Sequence, residues 1–242
     1  MDPPPTDASS FTSPRLAELF SLEGLVVRED LQQDKRSALL AVVRMFDDFQ
    51  VPYVISGGIA VQLYTPQPRH TVYVDVVSLR KPFERLKTAQ LWTQYQFELV
   101  FDRRRFIKLR HVPSGVEIDI NVDTRFTRLL EEPVVEMVEG RPICFCGPAK
   151  LALAKLRTQR SDWPRDLGKR LQDRTDLVKM LQAHPEIAEP LQADPLVNDE
   201  MRQILTLFHQ SSIDIVNRPL NLAACGGFPG IGQSAVQGHG AY

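Results

Sequence analysis

Tyr53-Val54-Ile55-Ser56-Gly57-Gly58-Ile59-Ala60 is the stretch on which the fold turns. Val51 to Ile55 is a short extended run with Pro52 at its edge, and the glycine pair closes it. Ile59 to Tyr64 then reads as a short helix, so the segment is a strand that turns sharply into a helix. Downstream, Arg69-His70-Thr71-Val72-Tyr73-Val74-Asp75-Val76 leads through Thr71 to Val77, a β-branched run that reads as a buried strand. A second anchor is Val116 to Val122. There Val116, Ile118, Ile120 and Val122 face one way and Glu117, Asp119 and Asn121 the other, and Ser114-Gly115 supplies the turn into it.

The remaining elements arrange themselves around these anchors. Asp34 to Phe49 carries apolar residues at helical spacing, with Asp34 as N-cap. A helix over Lys81 to Tyr95 and strands over Phe97 to Phe101 and Phe106 to His111 lie between the anchors. A strand pair follows at Val134 to Val138 and Pro142 to Cys146, hinged at Glu139-Gly140. Beyond Pro148, a residue that favours helix starts, Ala149 to Leu156, Leu171 to Leu181 and Asp199 to His209 are helical. The pattern predicts an α+β fold with a helical C-terminal part. Its divisions are a disordered leader over 1–14, an α/β core over 15–147, helices over 148–210 and a flexible Gly-rich tail over 218–242.

Composition narrows the function classes. The 242 residues carry a formal net charge of −1, so no global basic field draws in nucleic acid and any such contact needs a local patch. There is no basic-then-apolar leader and no apolar run long enough to span a bilayer, which predicts a protein with no membrane association. Three cysteines without framework spacing point to a reducing, cytoplasmic setting. Cys144 and Cys146 share a strand face, as small buried hydrophobes or, less simply, as a metal pair without further ligands.

Nucleotidyl transfer asks for phosphates held by backbone donors and for divalent metals held by carboxylates. A glycine pair at a helix start lets the backbone approach a triphosphate. Carboxylates at i and i+2 on a strand, with a third from a neighbour, form the metal cage. In this order of parts the chain resembles the nucleotidyltransferase superfamily, specifically the AbiEii toxin-like group of minimal nucleotidyltransferases. That group has a Gly-Gly-x-Ala turn, then Arg-x-Thr-x-Asp-x-Asp, then a later strand Asp. Leu151 to Leu156, with Lys155, and Asp173-Arg174-Thr175-Asp176-Leu177 match its C-terminal helices.

The resemblance implies a polymerase-β-like mixed sheet flanked by helices. It also implies Mg²⁺ on Asp75 and Asp119 as catalytic carboxylates, and an NTP held by Gly57, Gly58, Arg69, Thr71 and Lys155. The reaction implied is transfer of a nucleoside monophosphate to an RNA or protein hydroxyl. One position departs from the pattern: Tyr73 stands where the family has its first Asp, and a phenol is neutral at pH 7 and a poor magnesium ligand. Glu117, Asn121 and Asp123 share a face with Asp119, and one of them could lean toward a metal in place of the Asp lost at Tyr73. Tyr73 makes the alternative a catalytically inactive module that binds a nucleotide, RNA or an antitoxin or other cognate partner.

Plainer readings stand beside each of these. Gly57 and Gly58 could serve a turn alone, and Asp75 could form an ion pair with Arg69 or Lys155. Asp119 could face solvent, Arg69 and Thr71 could cap the strand entry, and Lys155 could snorkel or pair with an acidic residue. Two arginine groups, Arg103 to Arg105 with Lys108 and Arg110, and Arg157 to Arg174, are solvated faces or an RNA-binding patch.

Overall fold

The computed structural model describes residues 29–66, 69, 71–88, 90–163 and 165–217, with side chains from 34 to 208. The leader, the Gly-rich tail, His70 and Cys225 lie outside the described residues. Helix α1 (Glu29–Asp48) leads into strand β1 (Tyr53–Ser56), helix α2 (Gly57–Tyr64), strand β2 (Tyr73–Ser78) and helix α3 (Arg80–Thr88). Strands β3 (Phe97–Arg103), β4 (Phe106–His111) and β5 (Glu117–Asn121) follow, then the hairpin of β6 (Val134–Val138) and β7 (Arg141–Phe145). The C-terminal part holds α4 (Pro148–Arg157), α5 (Leu167–Ala183), the short α6 (Ala188–Ala193) and α7 (Asp199–Asn217).

The strands make one mixed sheet in the order β3-β4-β5-β2-β1-β7-β6. β1 runs antiparallel to β2 and parallel to β7, and β2 runs parallel to β5. Alternation divides each central strand between two faces. Val74, Val76, Ile118 and Ile120 are fully buried on one face, whereas Asp75 and Asp119 lie opposite each other on the other. Leu39, Val42, Val43 and Phe46 of α1 join the same core, each burial removing about 1.5–3 kcal/mol worth of apolar exposure.

The helix expected from Asp34 begins instead at Glu29, so Asp34 lies inside it and caps nothing. The single helix expected over Lys81 to Tyr95 is two pieces. It ends at Thr88, Gln90 takes a left-handed conformation with φ 49°, and a 3₁₀ turn covers Leu91–Tyr95. This break stacks Trp92 against Phe83, with ring centroids 6.3 Å apart. A second 3₁₀ segment, Thr124–Leu130, is capped by the Asp123 carboxylate, which accepts from the Arg125 backbone N–H.

Candidate nucleotide cleft

The glycine pair is fixed by what it touches. Gly57 has φ +60°, and a Cβ there would lie 1.9 Å from Oδ2 of Asp75. A Cβ at Gly58 would lie 1.8 Å from Nη1 of Arg69 and 2.7 Å from Cβ of Thr71. Both positions therefore require glycine, for backbone conformation at Gly57 and for space at both. The Gly58 backbone N–H donates to the Asp75 carboxylate. The turn thus brings β1 and β2 together, with Asp75 seated under the start of α2.

Parallel pairing of β2 with β5 sets Tyr73 opposite Glu117 and Asp75 opposite Asp119. Antiparallel pairing of β4 with β5 adds Lys108 opposite Asp119. Burial pushes the Asp75 carboxyl above the usual carboxylate range. Lys155 and Arg69 pull it down and Asp119 pushes it further up. Asp119 is likewise raised by burial, against the pull of Lys108. Two neighbouring carboxylates in a partly dehydrated floor repel each other, and the charged form of each suffers.

Lys108 lies beside these residues on the neighbouring strand, opposite Asp119. Its ammonium is 2.5 Å from Oε2 of Glu117, 3.1 Å from Oδ1 of Asp119 and 4.7 Å from the centre of the Tyr73 ring. Burial opposes its charge, but the hydrogen bonds to Glu117 and Asp119 prevail and hold its pKa above the ordinary lysine value. Glu117 is correspondingly held low by Lys108. Asp123 is committed elsewhere: Arg125 holds it below the ordinary range and Arg105 lies 3.6 Å away. Both carboxylates expected to stand in near Tyr73 are therefore already paired. Among the described residues no group of three or more His, Cys, Asp or Glu is arranged to hold a metal ion.

The opposite wall comes from the helices. Lys155 of α4, only 7% exposed, reaches Oδ1 of Asp173 at 2.6 Å and Oδ2 of Asp176 at 2.9 Å, both on α5. Asp176 also receives Nε of Arg69 at 2.7 Å, and Asp173 receives Nε of Arg165 at 2.5 Å. A chain of five charges, of which Lys155, Asp173 and Asp176 are buried, thus ties the loop before β2 to both helices. Lys155 and Arg69 act on Asp75 through space, while their direct partners are the α5 carboxylates.

Between sheet floor and helical wall lies a cavity of about 450 Å³. Gly57, Arg69, Thr71, Asp75, Asp119 and Lys155 all line it, and Gly58 packs directly behind Arg69 and Thr71. Arg165, Lys169, Gln172 and Asn121 are among its other polar lining residues. Sequence reasoning counted Arg165, Lys169 and Lys108 only as members of arginine-rich groups. The readable signal for Lys108 was its place on a strand beside β5, on the face shared with Asp119.

Most of the expected basic patch is engaged internally. Arg160 pairs with Asp162 at 2.5 Å, Arg170 donates to the Trp163 carbonyl, and Arg157 donates to the Arg125 carbonyl. Cys146 is fully buried, its thiol pushed up to about 12 by burial, and Cys144 is also raised by burial. Both thiols stay protonated at pH 7, as small core side chains do. Among the described residues no helix is long and apolar enough to cross a membrane.

No family model matches the chain, and no curated protein matches it either. Solved structures do. An antigenic nucleotidyltransferase-like protein from Paracoccidioides brasiliensis aligns with TM-score 0.50 and 21% identity, over 76% of this chain and 91% of that one. The antibiotic-resistance factor ANT(2'')-Ia aligns with TM-score 0.41 and 12% identity, over 75% and 94%. JHP933 from Helicobacter pylori aligns with TM-score 0.40 and 13% identity, over 79% and 97%. The first likeness identifies the architecture: a nucleotidyltransferase fold, with mixed sheet, flanking helices and helical C-terminal part.

Proposed function

We propose that the chain binds a nucleoside triphosphate in this cleft, as a module of the nucleotidyltransferase fold that holds the nucleotide without the usual two-metal transfer. The observation that carries this reading is the convergence of Gly57, Arg69, Thr71, Asp75, Asp119 and Lys155 on one cavity. Arg165 and Lys169 on its helical side offer positive charge to a polyphosphate. The volume suits a drug-sized ligand, at the lower middle of the usual range of about 300–1,000 Å³.

The donor set does not fit a pair of magnesium ions. Two such ions need several oxygen ligands in near-octahedral array at about 2.1 Å. Tyr73 offers a neutral phenol, and Asp119 is bound to the Lys108 ammonium at 3.1 Å. What remains is Asp75, itself hydrogen-bonded by the Gly58 N–H.

A second reading is supported by the register that keeps Asp75 and Asp119 side by side. In it the chain is an active, Mg²⁺-dependent AbiEii-like enzyme of the cytoplasm. It would move a nucleoside monophosphate from an NTP to an RNA or protein hydroxyl and could be governed by an antitoxin-like partner. Equilibrium binding of the four NTPs, run beside transfer of labelled NTPs onto RNA and onto the protein, separates the two. Binding without transfer is expected in the wild type, with affinity falling at least tenfold in Arg69→Ala. Transfer that disappears in Asp75→Ala would establish the second reading, and absence of NTP binding would overturn the first.

A further inference from the structure

Two lining residues of the cleft, Tyr73 and Asp119, share a cation that belongs to the protein, Lys108. The Lys108 ammonium donates to Glu117, lies 3.1 Å from Oδ1 of Asp119 as an ion pair and stands over the Tyr73 ring, 4.7 Å from its centre. The stem is fixed by the β-ladder, in which Lys108 lies opposite Asp119 and Asn121 lies opposite Phe106. The side chain is 15% exposed, so little water competes for the charge.

Tyr73 and Lys108 explain each other. A carboxylate at position 73 would add a third negative group to Asp75 and Asp119 and call for a divalent ion. An aromatic ring there instead presents a face that attracts a monovalent ammonium. A divalent ion at Asp119 would meet the Lys108 charge only a few ångströms away, where like charges repel by about 4 kcal/mol per charge product at an effective dielectric of 20. The two residues therefore act against metal entry together, one by removing a ligand and the other by supplying the counter-charge.

We propose that the Tyr73–Lys108 pair is a built-in replacement for a divalent cation at Asp119, so that the cleft takes its nucleoside triphosphate as the metal-free anion. The second half of this statement rests on the nucleotide-binding reading above; the first half does not. Removing the ammonium and restoring a carboxylate at position 73 opens a divalent site on positions 73, 75 and 119.

The test has two arms, both on the full chain. In the first, Mn²⁺ is titrated without nucleotide and its binding followed by electron paramagnetic resonance. Wild type is compared with the double variant Tyr73→Asp, Lys108→Met, each verified folded by circular dichroism. The double variant is expected to bind Mn²⁺ at least tenfold more tightly than wild type. Equal affinities, or a wild-type site that disappears in Asp119→Asn, would overturn the proposal. Should the double variant not fold, the wild type and Asp119→Asn still decide: no Mn²⁺ site in wild type supports the proposal, and a site lost on substitution sinks it. In the second arm, ATP affinity of the wild type is measured in EDTA and in excess Mg²⁺. Affinities equal within about twofold are expected, and tenfold tighter binding with Mg²⁺ would overturn the metal-free form. ATP binding in neither condition would overturn nucleotide binding, leaving the lysine-for-metal replacement to the Mn²⁺ arm.

Discussion

The two walls of the cleft contain the same chemical groups and treat them differently. On the helical wall Asp173 and Asp176 are almost inaccessible, and each is met by two cations: Lys155 and Arg165 for one, Arg69 and Lys155 for the other. On the sheet floor Lys108 lies between Glu117 and Asp119, Arg110 also reaches Glu117 at 3.5 Å, and the Asp75 carboxylate accepts from the Gly58 N–H. Cations crowd the wall carboxylates more closely than they do Asp75 and Asp119. The contrast predicts that the wall carboxylates matter most to stability and the floor carboxylates to ligand binding.

The largest effect should come from breaking the saturated wall. Asp176→Ala leaves the buried Lys155 and Arg69 short of a partner and is expected to cost about 3 kcal/mol in urea unfolding. Adding Lys155→Met should recover part of that loss, since the two groups belong to one network. A cost within about 0.5 kcal/mol would mean that the wall is no more structural than an exposed ion pair.

Gly57→Ala probes the junction between the walls. Its left-handed backbone and the collision with Asp75 should together cost about 2 kcal/mol. Combining it with Asp75→Ala should return the steric share while leaving the backbone share. If the double variant is as unstable as the sum of the singles, the contact between Gly57 and Asp75 is not the source.

The smallest effect has the opposite sign. The Asp75 carboxyl is raised in the folded protein, first by burial, so protonation favours folding. Its stabilising contribution is present below the unfolded carboxyl value and is lost as pH climbs through the folded one. Asp75→Asn should therefore stabilise the protein by about 1 kcal/mol at pH 7. By about pH 3 the gain should be gone, because wild-type Asp75 is then protonated in both states. Urea titrations at the two pH values check this. Destabilisation at pH 7 would place Asp75 with the wall rather than the floor.

Much of the fold could be read from residues whose meaning is local. Val116 to Val122 alternates as the buried strand does, and Glu139-Gly140 forms the turn of the β6–β7 hairpin with φ 50° and 73°. The helix over Lys81 to Tyr95 could not be read correctly, because its break serves the packing of Trp92 on Phe83. Asp34 failed as a cap because helix-favouring residues before it extend the helix. In the cleft, the order of motifs singled out the residues that converge on the cavity. It was silent on Lys108, whose partner depends on the register of β4 against β5, a long-range property no window of sequence contains. The Lys155 partners were visible as the pair Asp173 and Asp176 three residues apart, which places them on one helical face.

The ion pair between Arg69 and Asp176 joins residues 107 positions apart, and the parallel ladder joins Ile55 to Phe145. A growing chain thus completes the strand-turn-helix of β1 and α2 long before the segments that enclose it have been synthesised. Contacts of such long sequence separation are slow to form, because loop closure must precede any reward from pairing. Nascent chains that stop short of α5 carry the floor without its wall, with Lys155 and Arg69 lacking their acidic partners. The cleft therefore matures late in biogenesis, only once α5 has emerged.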